Sequence, residues 1–205
     1  MANIDASFGL RPYKLVGEGS NSNGITTFAI QTTGVAGTSS TLFQGTPVIP
    51  LANGLIDIVG AAAGGTVPIL GAFIGCEYTD TNGKPTFTNK WPGTSSVKSS
   101  TAAVAHVAAD PDQLFLINCD AAVAQAAVHA NANFATATSG NATTGISTGE
   151  LAVSTVATTN TLNARIMGFE DSPSNADTSA AGMLAIVRLN NHFYRYSTNG
   201  TVAGI

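Results

Sequence analysis

Charge is scarce in this chain. Of 205 residues only eight are Lys or Arg and twelve are Asp or Glu, a charged fraction of 10 % and a net charge of −4. Eight scattered bases cannot build a stripe that neutralises many phosphates, which argues against nucleic acid as a partner. The runs of Glu, Lys and Leu that a coiled coil needs are missing. Cysteine occurs twice, at Cys76 and Cys119, with no C-x-x-C and no His at ligand spacing. The pair reads as two small buried hydrophobes, with one disulfide as the alternative. Residues 1–7 have neither a basic n-region nor an apolar h-region, so no secretory signal is predicted, and a chain made in a reducing cytoplasm is expected. Motifs are scarce too: there is no P-loop, no H-E-x-x-H and no G-x-S-x-G. Gly17-Glu18-Gly19 starts like a dinucleotide fingerprint, but Ser22 stands where the third Gly belongs.

Apolar residues are not scarce. They make up 44 % of the chain, and the polar remainder is mostly Thr, Ser and Asn. That excludes a disordered chain, which would be poor in apolar residues and rich in charge. Residues 58–75 lack any charge and have the length of a membrane span. Five Gly and Pro68 interrupt them, and two buried strands joined at Ala63-Gly64-Gly65 account for the same residues, so no membrane is expected as a partner.

Asn-Gly between two β-prone runs marks a hairpin, through a type I′ turn with positive φ at both central residues. Asn53-Gly54, Asn82-Gly83 and Asn199-Gly200 all have that context, and Asn23-Gly24 introduces a run over 25–31. Further strands are expected over 67–77, 102–108, 113–119, 162–169 and 183–189. In 113–119 both faces are apolar, which predicts a central strand. Residues 170–181 read as a loop. The Ala-rich run 121–130 either forms a helix capped by Asp120 or turns into an irregular loop. Residues 131–161 read as surface, with a short strand near 151–156. The expected fold is therefore mainly β: an antiparallel β-sandwich or barrel with at most one or two short helices and an extended N-terminal arm. The expected division is an arm and linker over 1–24 and a single β-rich domain over 25–205.

Candidate chemistry centres on His106 with Asp110, Asp112 and Asp120, since acids clustered near a His are the groups that hold a metal or polarise a water. Asp110-Pro111-Asp112 equally reads as a turn, because Pro fixes φ and Asp bonds nearby backbone N–H groups. The turn reading is the stronger. His192 reads as a polar surface group or a satisfied core residue. No catalytic residue, metal site or cofactor is therefore assigned. The alternative of another class is a hydrolase using His106 and Asp110, or a β-sandwich lectin or adhesin.

A neutral, small-residue surface suits a subunit that lives in an assembly, since its contacts are insensitive to salt. Phe8, Leu10, Pro12 and Tyr13 form apolar anchors in a segment with no clear period, followed by a Gly/Ser/Asn linker. They are the candidate partner-binding residues, either as an arm clasping a neighbour or as an ordinary strand on the chain's own sheet.

Six segments in order carry a resemblance: Phe8-Gly9-Leu10-Arg11-Pro12, Gly75-Cys76-Glu77-Tyr78-Thr79-Asp80, Trp91-Pro92-Gly93, Asp110-Pro111-Asp112-Gln113-Leu114-Phe115, Thr144-Gly145-Ile146-Ser147-Thr148 and Asn191-His192-Phe193-Tyr194. Together they resemble a family of small virion structural proteins of tailed bacteriophages, of marine and cyanobacterial type. Relatives of that type often carry an acidic pair before the Pro, where this chain has Ala109-Asp110, which weakens the thought of a metal there. The resemblance implies a non-enzymatic head decoration, or cement, protein. It would bind the major capsid protein on the outer surface of the capsid head; the low charge and small-residue surface separately predict self-association, as a homotrimer with a dimer as the alternative. A tail- or fibre-associated virion protein is the alternative.

Overall fold

The computed structural model describes residues 3–17, 24–30, 41–59 and 68–195. Its strands are β1 (Arg11–Leu15), β2 (Ile25–Ile30), β3 (Leu42–Phe43), β4 (Pro47–Pro50), β5 (Ile56–Ile58), β6 (Gly71–Thr79), β7 (Pro85–Thr88), β8 (Lys90–Trp91), β9 (Ala103–Ala108), β10 (Gln113–Asn118), β11 (Asn131–Ala135), β12 (Gly140–Asn141), β13 (Ile146–Ser147), β14 (Glu150–Ala157), β15 (Ala164–Phe169) and β16 (Leu184–Leu189). All the strand ladders are antiparallel. The mainly β fold expected from the turn signals is the one observed. Helical structure among the described residues is limited to 3-10 turns at Thr94–Ser96, Gln125–Ala127 and Pro173–Asn175.

Two six-stranded sheets dominate. One runs β2-β9-β6-β4-β5, with β7 added on β6; it is called the early sheet. The other runs β1-β10-β16-β15-β11-β14 and is called the late sheet. A shared core lies between them. The late sheet contributes Phe115, Ile117, Leu151, Ile166, Val187 and Leu189, and the early side contributes Ile69, Ala72 and Ala108. A second core lies on the opposite face of the early sheet, where Phe73, Val107, Ala105 and Val48 pack with Leu42, Trp91 and Val97. Alternation along β9 explains the division: Ala105 and Val107 point one way, and Ala108 the other. Tyr78 meets Trp91 edge-to-face, with centroids 5.6 Å apart, and closes the second core.

The hairpins stand where Asn-Gly predicts them, but the turns differ in type. Asn53 and Asn82 keep negative φ, while Gly54 and Gly83 adopt φ of 78° and 82°. Gly54 N–H donates to Leu51 O, and Leu51 N–H to Leu55 O; residues 80–84 repeat the pattern. Each is a three-residue loop, a type I turn followed by a left-handed Gly, rather than a type I′ turn. The Asn side chain decides this locally, since Asn53 Oδ1 accepts Leu55 N–H at 3.2 Å. The Asn199-Gly200 hairpin, the turn at Ala63-Gly64-Gly65 and most of the linker 17–24 lie outside the described residues.

One open alternative is resolved and two expectations are corrected. Residues 121–130 hold no α-helix. Asp120 Oδ1 accepts Val153 N–H at 2.9 Å, tying its loop to β14 instead of capping a first turn. Residues 131–161 are not merely surface: β11 sits between β15 and β14, and Ala132 and Leu151 are fully buried. The N-terminal arm does not stand apart. Arg11–Leu15 pairs with β10 as an edge strand of the late sheet, and Leu10 is buried in the shared core. The physical reason is that β1 pairs along the edge of β10, which brings Leu10 into the shared core with Phe115 and Ile117.

Candidate partner-binding site

The N-terminal segment builds a pocket of about 260 Å³ lined by Phe8, Leu10, Arg11, Pro12, Gln44, Gly45, Ile74 and Ile146. Three stretches distant in sequence meet there. Leu10 N–H donates to Gly45 O at 2.8 Å, Gly45 N–H to Phe73 O at 2.7 Å, and Gly9 N–H to Gly149 O at 3.0 Å. Gln44 and β13 exchange backbone bonds through Gln44 N–H to Gly145 O and Ser147 N–H to Gln44 O, both 2.9 Å. These backbones touch because Gly9 and Gly45 have no side chain. A Cβ on Gly9 would lie 2.5 Å from Gly45 O, and one on Gly45 would lie 2.4 Å from Phe8 O. Both also hold positive φ, 72° and 91°, which L side chains rarely adopt.

Of the four anchors expected from sequence, Phe8, Leu10 and Pro12 line this pocket and Tyr13 does not. Leu10 is spent on the chain's own core, 1 % exposed. Phe8 is half-buried, and the Arg11 guanidinium lies 4.1 Å from its ring centroid, a cation–π contact that orients the ring. Tyr13 sits on the bulge between Pro12 and Lys14 and is 40 % exposed. Gln44, Gly45 and Ile74 were not found by sequence reasoning. Nothing local marks them, since they reach the site only through sheet pairing. Ile146 is 36 % exposed at the rim, and its segment was already singled out by the resemblance.

Some of the resembling segments touch one another. The segments around Phe8 and Ile146 form the pocket with Ile74, which adjoins the Gly75 segment. Tyr78 of the Gly75 segment meets Trp91 of one further segment. The turn at Asp110 and the segment at His192 meet through Arg195, which bonds Asp112, as does Arg188.

The polar candidates separate. His106 Nε2 meets Glu77 Oε1 at 2.9 Å on the early sheet. Asp110 Oδ1 accepts Asp112 N–H at 2.7 Å, and Gln113 N–H donates to Asp110 O, so Asp110-Pro111-Asp112 is the turn between β9 and β10. Asp120 is engaged on β14. Among the described residues no group of three or more His, Cys, Asp or Glu is placed to hold a metal ion.

His192 is buried, and its Nδ1 accepts Tyr194 N–H at 3.1 Å. Burial holds its pKa down at about 4, against weaker upward pulls from Asp110 and the Leu70 backbone. It is a neutral core histidine. It pins the chain after β16 to the early sheet, where Ile69 N–H bonds Asn191 O and Phe193 N–H bonds Ile69 O.

Cys76 and Cys119 are free and buried, and desolvation pushes both thiols up to about 12. They lie in different cores, which excludes the disulfide alternative in this structure.

Comparison with protein-family models, with curated proteins and with solved structures finds no match to this chain.

Proposed function

We propose that this chain is a bacteriophage capsid decoration protein, a β-sandwich subunit that binds the outer face of the head shell and stabilises it by contact. The observation that carries the reading is the pocket under Phe8, Pro12 and Ile146 in a surface poor in charge. It offers apolar area and backbone groups beside the Arg11 guanidinium, and five of its eight lining residues come from the first and fifth segments of the resemblance. An apolar insertion of Phe or Leu size would gain on the order of 1.5–3 kcal/mol there, with little loss at high salt. An acidic protein is also better suited to the outside of a shell than to the side facing packaged DNA, where like charges repel.

The test is reconstitution. Heads lacking the protein are mixed with the purified full chain, and its ratio to the major capsid protein is read by gel densitometry. Saturable binding in fixed ratio to the major capsid protein, with a raised temperature of DNA release, is the expected result. Occupancy confined to a few copies per particle would make it a tail or fibre component. No binding to heads or tails would overturn the reading.

A further inference from the structure

The two faces of the late sheet are unequal. Phe115 and Ile117 enter the shared core, but Leu116, Leu184 and Ile186 point the other way and belong to neither core. They are half-buried. An antiparallel sheet with one packed face normally turns polar residues to water on the other. Here the middle of the outer face is Leu and Ile.

Charge is ordered along the same face. At one end Lys14, Leu114, Arg188 and Arg165 stand in register across four strands. Arg11 lies beside Leu116, and Arg195 joins Arg188 on Asp112. Five of the chain's eight basic residues, including every Arg, gather on or beside this one face. At the other end Asn118 donates to Asp5 Oδ1 at 3.1 Å and Glu150 Oε1 at 3.4 Å. Glu170 adjoins through its backbone bond to Leu184. Leu114 and Asn118 are four residues apart, about 14 Å along the strand. The pair Leu116 and Ile186 lies midway.

A basic end, a centre of Leu116 and Ile186 with Arg11 at its β1 edge, and an acidic end in one line are complementary to themselves after a half-turn about an axis through the centre. We propose that a second copy of this chain covers the outer face of the late sheet, related by a two-fold axis through Leu116 and Ile186. Such an interface is isologous: the Lys14 and Arg188 end of each copy meets the Asp5 and Glu150 end of the other, twice over. It has an apolar core with a charged rim in which Arg is prominent, as protein interfaces do. It favours the dimer over the trimer expected from composition. The pairing does not depend on the shell, so particle binding and dimerisation fail separately.

Sedimentation velocity of the full chain across a concentration series tests it. A dimer is expected, with Leu116→Lys raising the dissociation constant roughly tenfold to a hundredfold while circular dichroism is unchanged. Lys14→Glu and Glu150→Lys, each with a circular dichroism spectrum like that of the wild type, should each be monomeric alone. Mixed together they should form a dimer, because both charge pairs across the two-fold become opposite in sign. A wild-type chain that stays monomeric, a trimer, a dimer indifferent to all three substitutions, or a mixture that stays monomeric would each overturn the proposal.

Discussion

The early and late sheets receive the same kind of sequence and bury it differently. β10 is apolar on two faces, and β9 on one, its other face carrying Val104 and Ala108 with His106 between them. In the early sheet each face finds a core, with Val107 in one and Ala108 in the other. In the late sheet only the Phe115 and Ile117 face does; Leu116 and Ile186 are left outside both. A two-faced apolar strand thus reports that both faces need covering. It does not report that the same chain does the covering.

The largest expected effect lies in the faces that are covered. Phe115→Ala should cost about 3–5 kcal/mol in urea melts, because the side chain is fully buried and its neighbours cannot collapse onto the gap. Phe73→Ala in the second core should cost as much. A loss under about 1 kcal/mol at either site would dissolve the contrast with Leu116.

Next comes acid. His192 ties the two sheets, and its pKa in the folded chain is held below its ordinary 6.5, at about 4. The unfolded chain therefore binds the proton more readily between those values. The contribution is fully present above about pH 6.5 and is lost as pH falls toward 4, by roughly 3 kcal/mol at most. His192→Gln should flatten that part of the stability-against-pH curve, and an unchanged slope would show that other groups cause it.

Removing residues 1–14 should lower the melting temperature, because it deletes β1 and withdraws Leu10 from the shared core. An unchanged melting temperature would restore the free-arm expectation. The smallest effect on the fold belongs to the uncovered face: Leu116→Ala should cost about 1 kcal/mol or less in a dilute monomer. A larger cost there would mean that the outer face is packed within the subunit after all.

Much of the fold was legible. Asn53-Gly54 and Asn82-Gly83 mark real hairpins because the sequence needs a Gly at positive φ there, although in only one turn position each. β10, β15 and β16 were readable from β-branched and apolar runs. β11 was not, because Asn131-Ala132-Asn133 looks like a break. Its Asn side chains are consumed by tertiary partners: Asn131 bonds Arg165 Nε and Thr159 O, and Asn133 accepts Asn163 N–H. The Ala-rich run after Asp120 misleads in the other direction, since intrinsic propensity yields to the pull of Asp120 on β14. The two-residue strands β3, β8, β12 and β13 are too short for any period to register. Of the site, Phe8, Leu10 and Pro12 were legible as anchors without a period. Gly45 and Ile74 were not, because a pocket wall made by sheet pairing leaves no local trace.

The order of strands in the late sheet also sets a schedule for synthesis. Every strand of the early sheet lies between Ile25 and Ala108, so that sheet can close while the remainder of the chain is still being made. The first strand of all, β1, has no partner until β10 emerges, and β10 lacks its second neighbour until β16 does. Phe8 and Leu10 are therefore made well before β10 and are sheltered only after it has emerged. Pairings so distant in sequence fold slowly, on the scale of milliseconds to seconds for all-β chains of this kind. During that interval the nascent protein carries exposed apolar side chains and an unpaired strand edge, the two features that recruit chaperones or seed aggregates. A charge-poor chain gets little electrostatic repulsion to keep such intermediates apart. Its yield in a cell should accordingly fall with expression rate more steeply than its final stability would foretell.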